Sequence, residues 1–223
     1  MKARIDRVVS PGVIAPAGIG HERESNAWIV GDDEEVIVVD PGTDPAAVLD
    51  GTAGREILAV ICTHGHANHV AAALDVAARD ESPVALHPKD VLLWREAHRR
   101  SDPEIEMEDG GIFEVADVAL EVIHAPGHSP GSVLLYCEEL GVVFSGDALL
   151  AGGPAPHAGE FPNFSAQLSA IGEHILTLPA ETRVLPGHGE EILVAAAEKR
   201  FDSWVAAGPQ ASASGDPDSS RRD

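Results

Sequence analysis

Apolar residues in this chain fall into short runs separated by acidic or glycine- and proline-rich breaks. Ile5 to Val9, Ala27 to Val30 and Val36 to Val39 open the chain, and Asp32-Asp33-Glu34-Glu35 turns between the last two. Short β-branched runs bounded by turn formers predict antiparallel strands. Asp40-Pro41-Gly42 breaks the pattern, and Pro45 to Thr52 predicts a short helix. Val60-Ile61-Cys62 predicts a buried strand, Ala71 to Arg79 an alanine-rich helix, and Val84-Ala85-Leu86 another strand. Pro88 suits the first position of a helix reaching His98. Residues 101 to 109 are acidic and predict irregular chain.

The second half repeats the plan. Ile112 to Val115, Val118 to Ile123, Val133 to Tyr136 and Val142 to Phe144 predict strands, and a glycine- and proline-rich loop runs from Ala151 to Pro162. Asn163 to Leu176 and Glu190 to Ala206 predict helices on either side of a strand at Val184-Leu185. Strands followed by strand–helix units, twice, predict an α/β (α+β) fold. Two sheets pack face to face and the helices lie outside. One domain over residues 1–208 is expected. The polar tail 209–223 has no apolar anchor and is expected to be disordered.

Composition narrows the choice of function. The 223 residues carry a formal net charge of −22, which repels phosphate backbones and disfavours nucleic acid as a partner. No apolar stretch approaches the roughly 20 residues of a membrane span, and the charged N-terminus lacks the apolar core of a secretory signal. Cys62 and Cys137 sit in apolar runs and read as buried small hydrophobes, so a reducing cytoplasm is expected.

The chemistry lies at the strand ends. Thr63-His64-Gly65-His66-Ala67-Asn68-His69 leaves one predicted strand; His128 stands in Ala125-Pro126-Gly127-His128-Ser129, Asp147 in Ser145-Gly146-Asp147, and His188 in Pro186-Gly187-His188-Gly189. Loops leaving strands are where chemistry is usually mounted. His64 and His66 are two apart, so in extended chain both imidazoles face one side and can meet one ion. His128 is the third ligand that a catalytic zinc pattern requires. His69, Asp147 and His188 form a second set, and Asp147 can bridge two ions that clamp a hydroxide and polarise an acyl oxygen. A single histidine in a glycine turn is an ordinary loop residue; six such residues in this order are not. A closed structural zinc site fits poorly, because it would use four ligands, often cysteine, and no bridging carboxylate.

These motifs resemble those of the metallo-β-lactamase-fold hydrolases, in the branch similar to glyoxalase II (hydroxyacylglutathione hydrolase). The family pattern is His-x-His-x-Asp-His with later His, Asp and His, met here by His64, His66, His69, His128, Asp147 and His188. The resemblance covers about residues 4 to 207. It implies a four-layer αββα sandwich and one or two zinc ions, with iron as the alternative. The activity it implies is hydrolysis of small acyl compounds, most readily thioesters, by metal-bound hydroxide. The substrate is then a small molecule, neither nucleic acid nor membrane is a partner, and a homodimer is the candidate assembly.

Position 68 departs from that pattern. The resemblance implies an aspartate that ligates the second ion and handles a proton, so Asn68 and Asp147 are the candidate catalytic residues. As a helix cap, Asn serves about as well as Asp, and the fold should tolerate the change. The second ion should be held more weakly, since an amide brings no charge. Gly153 and His157, in the loop after Asp147, are expected to line the substrate cleft. His21 is a further candidate, His124 reads as a packing residue or a support for the ligands, and His87, His98 and His174 as structural. The family's C-terminal basic module has no counterpart here, so a carrier thiol other than glutathione is expected. Three rival readings remain: a mononuclear iron persulfide dioxygenase, a lactonase or β-lactamase, and a ligand-binding homologue impaired by Asn68.

Overall fold

The computed structural model describes residues 2–11, 24–156 and 163–208. The tail 209–223, His21 and His157 lie outside the described residues. Twelve strands form two six-stranded sheets among the described residues. The first sheet runs in chain order: β1 (Arg4–Ser10), β2 (Ser25–Gly31), β3 (Glu35–Val39), β4 (Glu56–Ile61), β5 (Val84–Leu86) and β6 (Ile105–Glu106). The second holds β7 (Ile112–Val115), β8 (Val118–His124), β9 (Val133–Cys137), β10 (Val142–Gly146), β11 (Arg183–Pro186) and β12 (Ile192–Leu193), again neighbours in chain order. Each sheet is mixed: β3–β4, β4–β5, β5–β6 and β10–β11 are parallel, the other pairs antiparallel.

Period-two alternation builds the layers. Along β2, Trp28 and Val30 point to the centre while Ala27 and Ile29 point to the outer face. Trp28, Ile37, Ile61, Leu120, Leu135 and Phe144 meet between the sheets. Helices α1 (Pro45–Gly51), α2 (Ala67–Val70), α3 (Ala73–Ala77) and α4 (Val91–Ala97) lie on the first sheet, where Val48, Val70, Val76 and Trp94 are buried. Helices α5 (Phe164–Ala170) and α6 (Val194–Ala207) cover the second, burying Ala170, Ala197 and Trp204. The result is a four-layer αββα sandwich. Trp28 and Trp94 are core residues and Trp204 packs a helix. Both cysteines are free and buried. No helix among the described residues is long and apolar enough to cross a membrane.

Several elements depart from the expected boundaries. The acidic stretch 101–109 contains β6, because Ala85 and Leu86 offer a parallel edge to Ile105 and Glu106; strand formation there follows the partner, not the local propensity. The helix expected from Glu190 begins only at Val194, since Ile192 and Leu193 first pair with Val184 and Arg183. The helix expected at 71–79 starts earlier, as α2, and is interrupted before α3. The one expected at 88–98 opens with a 3-10 turn over Pro88–Asp90. The one at 163–176 passes from α5 into a π-helical turn over Ile171–Ile175.

Candidate metal centre

Every candidate ligand leaves the same end of a strand. The run from His64 to His69 follows β4 of the first sheet. His128 follows β8, Asp147 follows β10 and His188 follows β11, all in the second. The sheets are tied at this end by backbone bonds. Val133 donates to the Thr63 carbonyl at 2.9 Å and Asn26 donates to the Gly187 carbonyl at 2.8 Å. The Asn26 amide also donates to the carbonyls of Pro186 and Gly189, both at 2.9 Å, which fixes the turn carrying His188. Gly187 must be glycine: a β-carbon there would lie 2.5 Å from Cε1 of His69 and 2.6 Å from Oδ1 of Asp147.

Two groups of ligand atoms result. His64, His66 and His128 converge, with Nδ1 of His66 3.1 Å from Nε2 of His128. His69, Asp147 and His188 converge beside them, with the Nε2 atoms of His69 and His188 3.2 Å apart. Asp147 reaches both groups: Oδ1 is 3.6 Å from His69, and Oδ2 is 3.5 Å from both His128 and His188. Asn68 does not cap a helix. His66 occupies the cap position of α2, and Asn68 lies in the first turn with its amide nitrogen 3.0 Å from Nε2 of His188.

Supporting contacts fix which imidazole nitrogen faces inward. The buried carboxylate of Asp40 accepts the Thr63 amide at 2.7 Å and the Thr63 hydroxyl at 2.6 Å. The same hydroxyl lies 3.1 Å from Nδ1 of His64, and Asp40 lies 3.1 Å from Nδ1 of His69. Because that hydroxyl donates to Asp40, its oxygen accepts the Nδ1–H of His64, which leaves Nε2 free for a cation. His188 Nδ1 donates to the carbonyl of Glu24 at 2.7 Å, which leaves its Nε2 pointing inward. Outer partners of this kind set tautomer and ring direction in metal sites. Asp40 also groups geometrically with His64 and His69, but its oxygens are already engaged as acceptors. In sequence Asp40 reads only as part of a chain-breaking turn; its position at the end of β3, next to β4, was the available signal.

Electrostatics separates the two groups. Burial pushes His64 well below the ordinary imidazole range, helped by neighbouring His69, His66 and His128, and burial also lowers His66. Burial acts the same way on His69, but Asp147 and Asp40 overcome it and raise the ring to about 10. Burial tends to raise Asp147, and His69 and His188 outweigh that and hold it well below the usual carboxylate range.

The residues fit a cation. Nε2 of His64 and Oδ1 of Asp147 are buried and make no hydrogen bond, an arrangement that costs about 1–3 kcal/mol per group unless something coordinates them. Imidazole with carboxylate is the donor set of zinc and iron.

A cavity of about 510 Å³ opens beside the second group, with His188 on its wall. Gly153 lines it together with Leu150, Pro154, Phe164 and Trp204. The loop from Leu150 to Gly153 is held from α6, where Arg200 donates to the carbonyls of Ala151 and Gly152 at 2.6 and 3.0 Å. Among the other histidines, His124 stacks on His87 at 4.4 Å and bonds the Pro130 carbonyl in the His128 loop. His98 bonds the Val70 carbonyl.

Residues 21–188 match the sequence model of the family described as the Metallo-beta-lactamase superfamily. The probable metallo-hydrolase YqgX of Bacillus subtilis is 30% identical over 182 residues, 75% of this chain and 86% of that protein. The hydroxyacylglutathione hydrolase GloC of Haemophilus influenzae is 26% identical over 200 residues, 82% of this chain and 93% of that protein. The crystal structure of TTHA1623 in a di-iron-bound form matches with a TM-score of 0.68 at 32% identity, covering 86% of this chain and 98% of that one.

Proposed function

Because the chain belongs to the metallo-beta-lactamase superfamily, we propose that it is a metal-dependent hydrolase of small acyl compounds, with thioesters as the substrate class. The observation that carries the reading is the paired convergence at one sheet end. Imidazole nitrogens lie 3.1 Å apart in one group and 3.2 Å apart in the next, with Asp147 reaching both. The thioester assignment draws on the likeness to hydroxyacylglutathione hydrolase GloC.

In this reading His64, His66 and His128 would hold one ion. His69, His188 and Asp147 would hold a second, and Asp147 lies within 3.6 Å of His69 and 3.5 Å of both His128 and His188. The ions are of the borderline class, zinc or iron; the relative seen in a di-iron-bound form supports iron as one of the two. When bound, such ions supply an acidified water and a Lewis acid for the acyl oxygen. The protein's own part is positional. Asp40 and Thr63 hold the Nδ1 protons of His69 and His64 away from the ions. The walls formed by Leu150, Pro154, Phe164 and Trp204 take the apolar part of the acyl group and exclude water from it. The cavity lies within the range of small-ligand sites. Asn68 brings no charge to the second ion, which is therefore held more weakly than it would be with an aspartate at that position. Two free, buried cysteines support a reducing compartment.

The test is elemental analysis of the purified protein together with turnover of a panel of S-acyl thioesters, lactones and β-lactams. Retained zinc or iron with thioester cleavage that a chelator abolishes is the expected result. A protein that binds neither metal, or cleaves only lactones or β-lactams, refutes the assignment.

A further inference from the structure

The loop bearing His64 and His66 and the loop bearing His128 come from different sheets, yet one carboxylate holds both. Asp90 ends the 3-10 turn before α4 and is fully buried. It stands at the cap position of α4 but makes no capping bond with its side chain. Instead Oδ2 accepts the backbone N–H of Gly65 at 2.9 Å and the hydroxyl of Ser129 at 2.6 Å, and Oδ1 accepts the N–H of Gly131 at 2.6 Å. Gly65 lies between His64 and His66, and Ser129 follows His128 directly. Neither loop has room to retreat toward Asp90. A β-carbon at Gly131 would lie 2.7 Å from Oδ1 of Asp90, and one at Gly65 would lie 2.6 Å from its backbone carbonyl.

We propose that Asp90 is a positioning residue for the first ion site: its carboxylate sets the separation between the His64/His66 loop and the His128 loop. The proposal rests on the reading of those three histidines as ligands of one ion. The carboxylate of Asp90 bonds the backbone N–H of Gly65 and Gly131 and the hydroxyl of Ser129, and none of the imidazole nitrogens. It acts by joining, through short charge-assisted bonds, the two backbones whose imidazole nitrogens lie 3.1 Å apart. Asp90→Asn keeps the size of the side chain but, in either orientation, sets an NH₂ against the backbone N–H of Gly65 or of Gly131. At least one loop must then move.

The test follows the first ion directly. The purified metal-loaded protein is challenged with a chromogenic chelator, and cobalt(II)-substituted protein is examined by visible absorption. Asp90→Asn should release the first ion roughly 10–100-fold more readily and shift the cobalt bands. Ser129→Ala, which removes a single bond to the same carboxylate, should do so in the same direction by less. A folded Asp90→Asn protein with wild-type affinity and wild-type cobalt bands, whatever its melting temperature, overturns the proposal while leaving the metal reading intact. If Asp90→Asn does not fold, unchanged affinity and bands in Ser129→Ala overturn it. A wild-type protein that holds no ion defeats the ligand reading and the role of Asp90 together.

Discussion

The side-chain amide nitrogen of Asn68 lies 3.0 Å from Nε2 of His188, at the rim of the second ligand group. An amide can turn either its oxygen or its nitrogen inward, but neither brings charge to a cation. A unit charge about 4 Å away is worth roughly 1–4 kcal/mol in a partly shielded site. Asn68→Asp should therefore tighten the second ion about tenfold or more. After dialysis against a chelator, the variant should keep a second metal equivalent that the wild type loses. Two firmly held equivalents in the wild type would contradict this.

Asp40 orients His69 directly and His64 only through Thr63. Asp40→Asn should weaken the second ion by about 10–100-fold and the first by less. A two-step metal titration separates the effects, and equal losses at both sites would show that Asp40 is a general support and not a partner of His69.

Metal uptake should also move protons, by different amounts at the two sites. In the metal-free protein His69 is raised to about 10 by its carboxylates against the effect of burial. Its pairing therefore stabilises fully below the ordinary imidazole value near 6.5, and the contribution declines as pH rises toward about 10. Asp147 is depressed, so its share is present above the usual carboxylate range and fades on acidification. At pH 8 an ion entering the second group must displace the proton of His69, whereas His64 and His66, lowered mainly by burial, are already neutral. Calorimetric titration in two buffers of different ionisation enthalpy should show about one more proton released with the second ion than with the first. Equal proton release at the two steps would rule out the His69 ion pair.

Trp204 packs α6 onto the second sheet and also forms part of the cavity wall. Trp204→Ala should cost about 3–5 kcal/mol of stability and raise KM for longer acyl chains more than for acetyl, with metal content unchanged. Thermal unfolding and a chain-length series of thioesters measure the two effects. A KM change independent of chain length would remove Trp204 from the acyl wall.

Much of this was legible in the residues. Imidazoles at His64, His66, His128 and His188 announce themselves by type and by their glycine turns, and the strand runs set the layers. Asp40 and Asp90 did not, because a lone acidic residue before a turn or helix looks like a local capping group. Only the folded chain shows that Asp40 faces Thr63 and His69, and that Asp90 faces Gly65 and Gly131. Asn68 misled in the same way, since its cap-like position ignores a helix that starts one residue earlier. The short strands β6 and β12 exist through their partners, and a single-strand pattern does not contain the partner. Gly153, close after Asp147 in sequence, lines the cavity beside the second group.

The candidate ligands of the first group come from both sheets, and those of the two groups together run from His64 to His188. An ion seated there would be a cross-link between distant stretches of chain, comparable to a disulfide in a protein whose two cysteines are free. Closing so long a loop is entropically costly for the unfolded chain. Chelation should act on this molecule as reduction acts on a stapled one, loosening the seam between the sheets before either sheet comes apart.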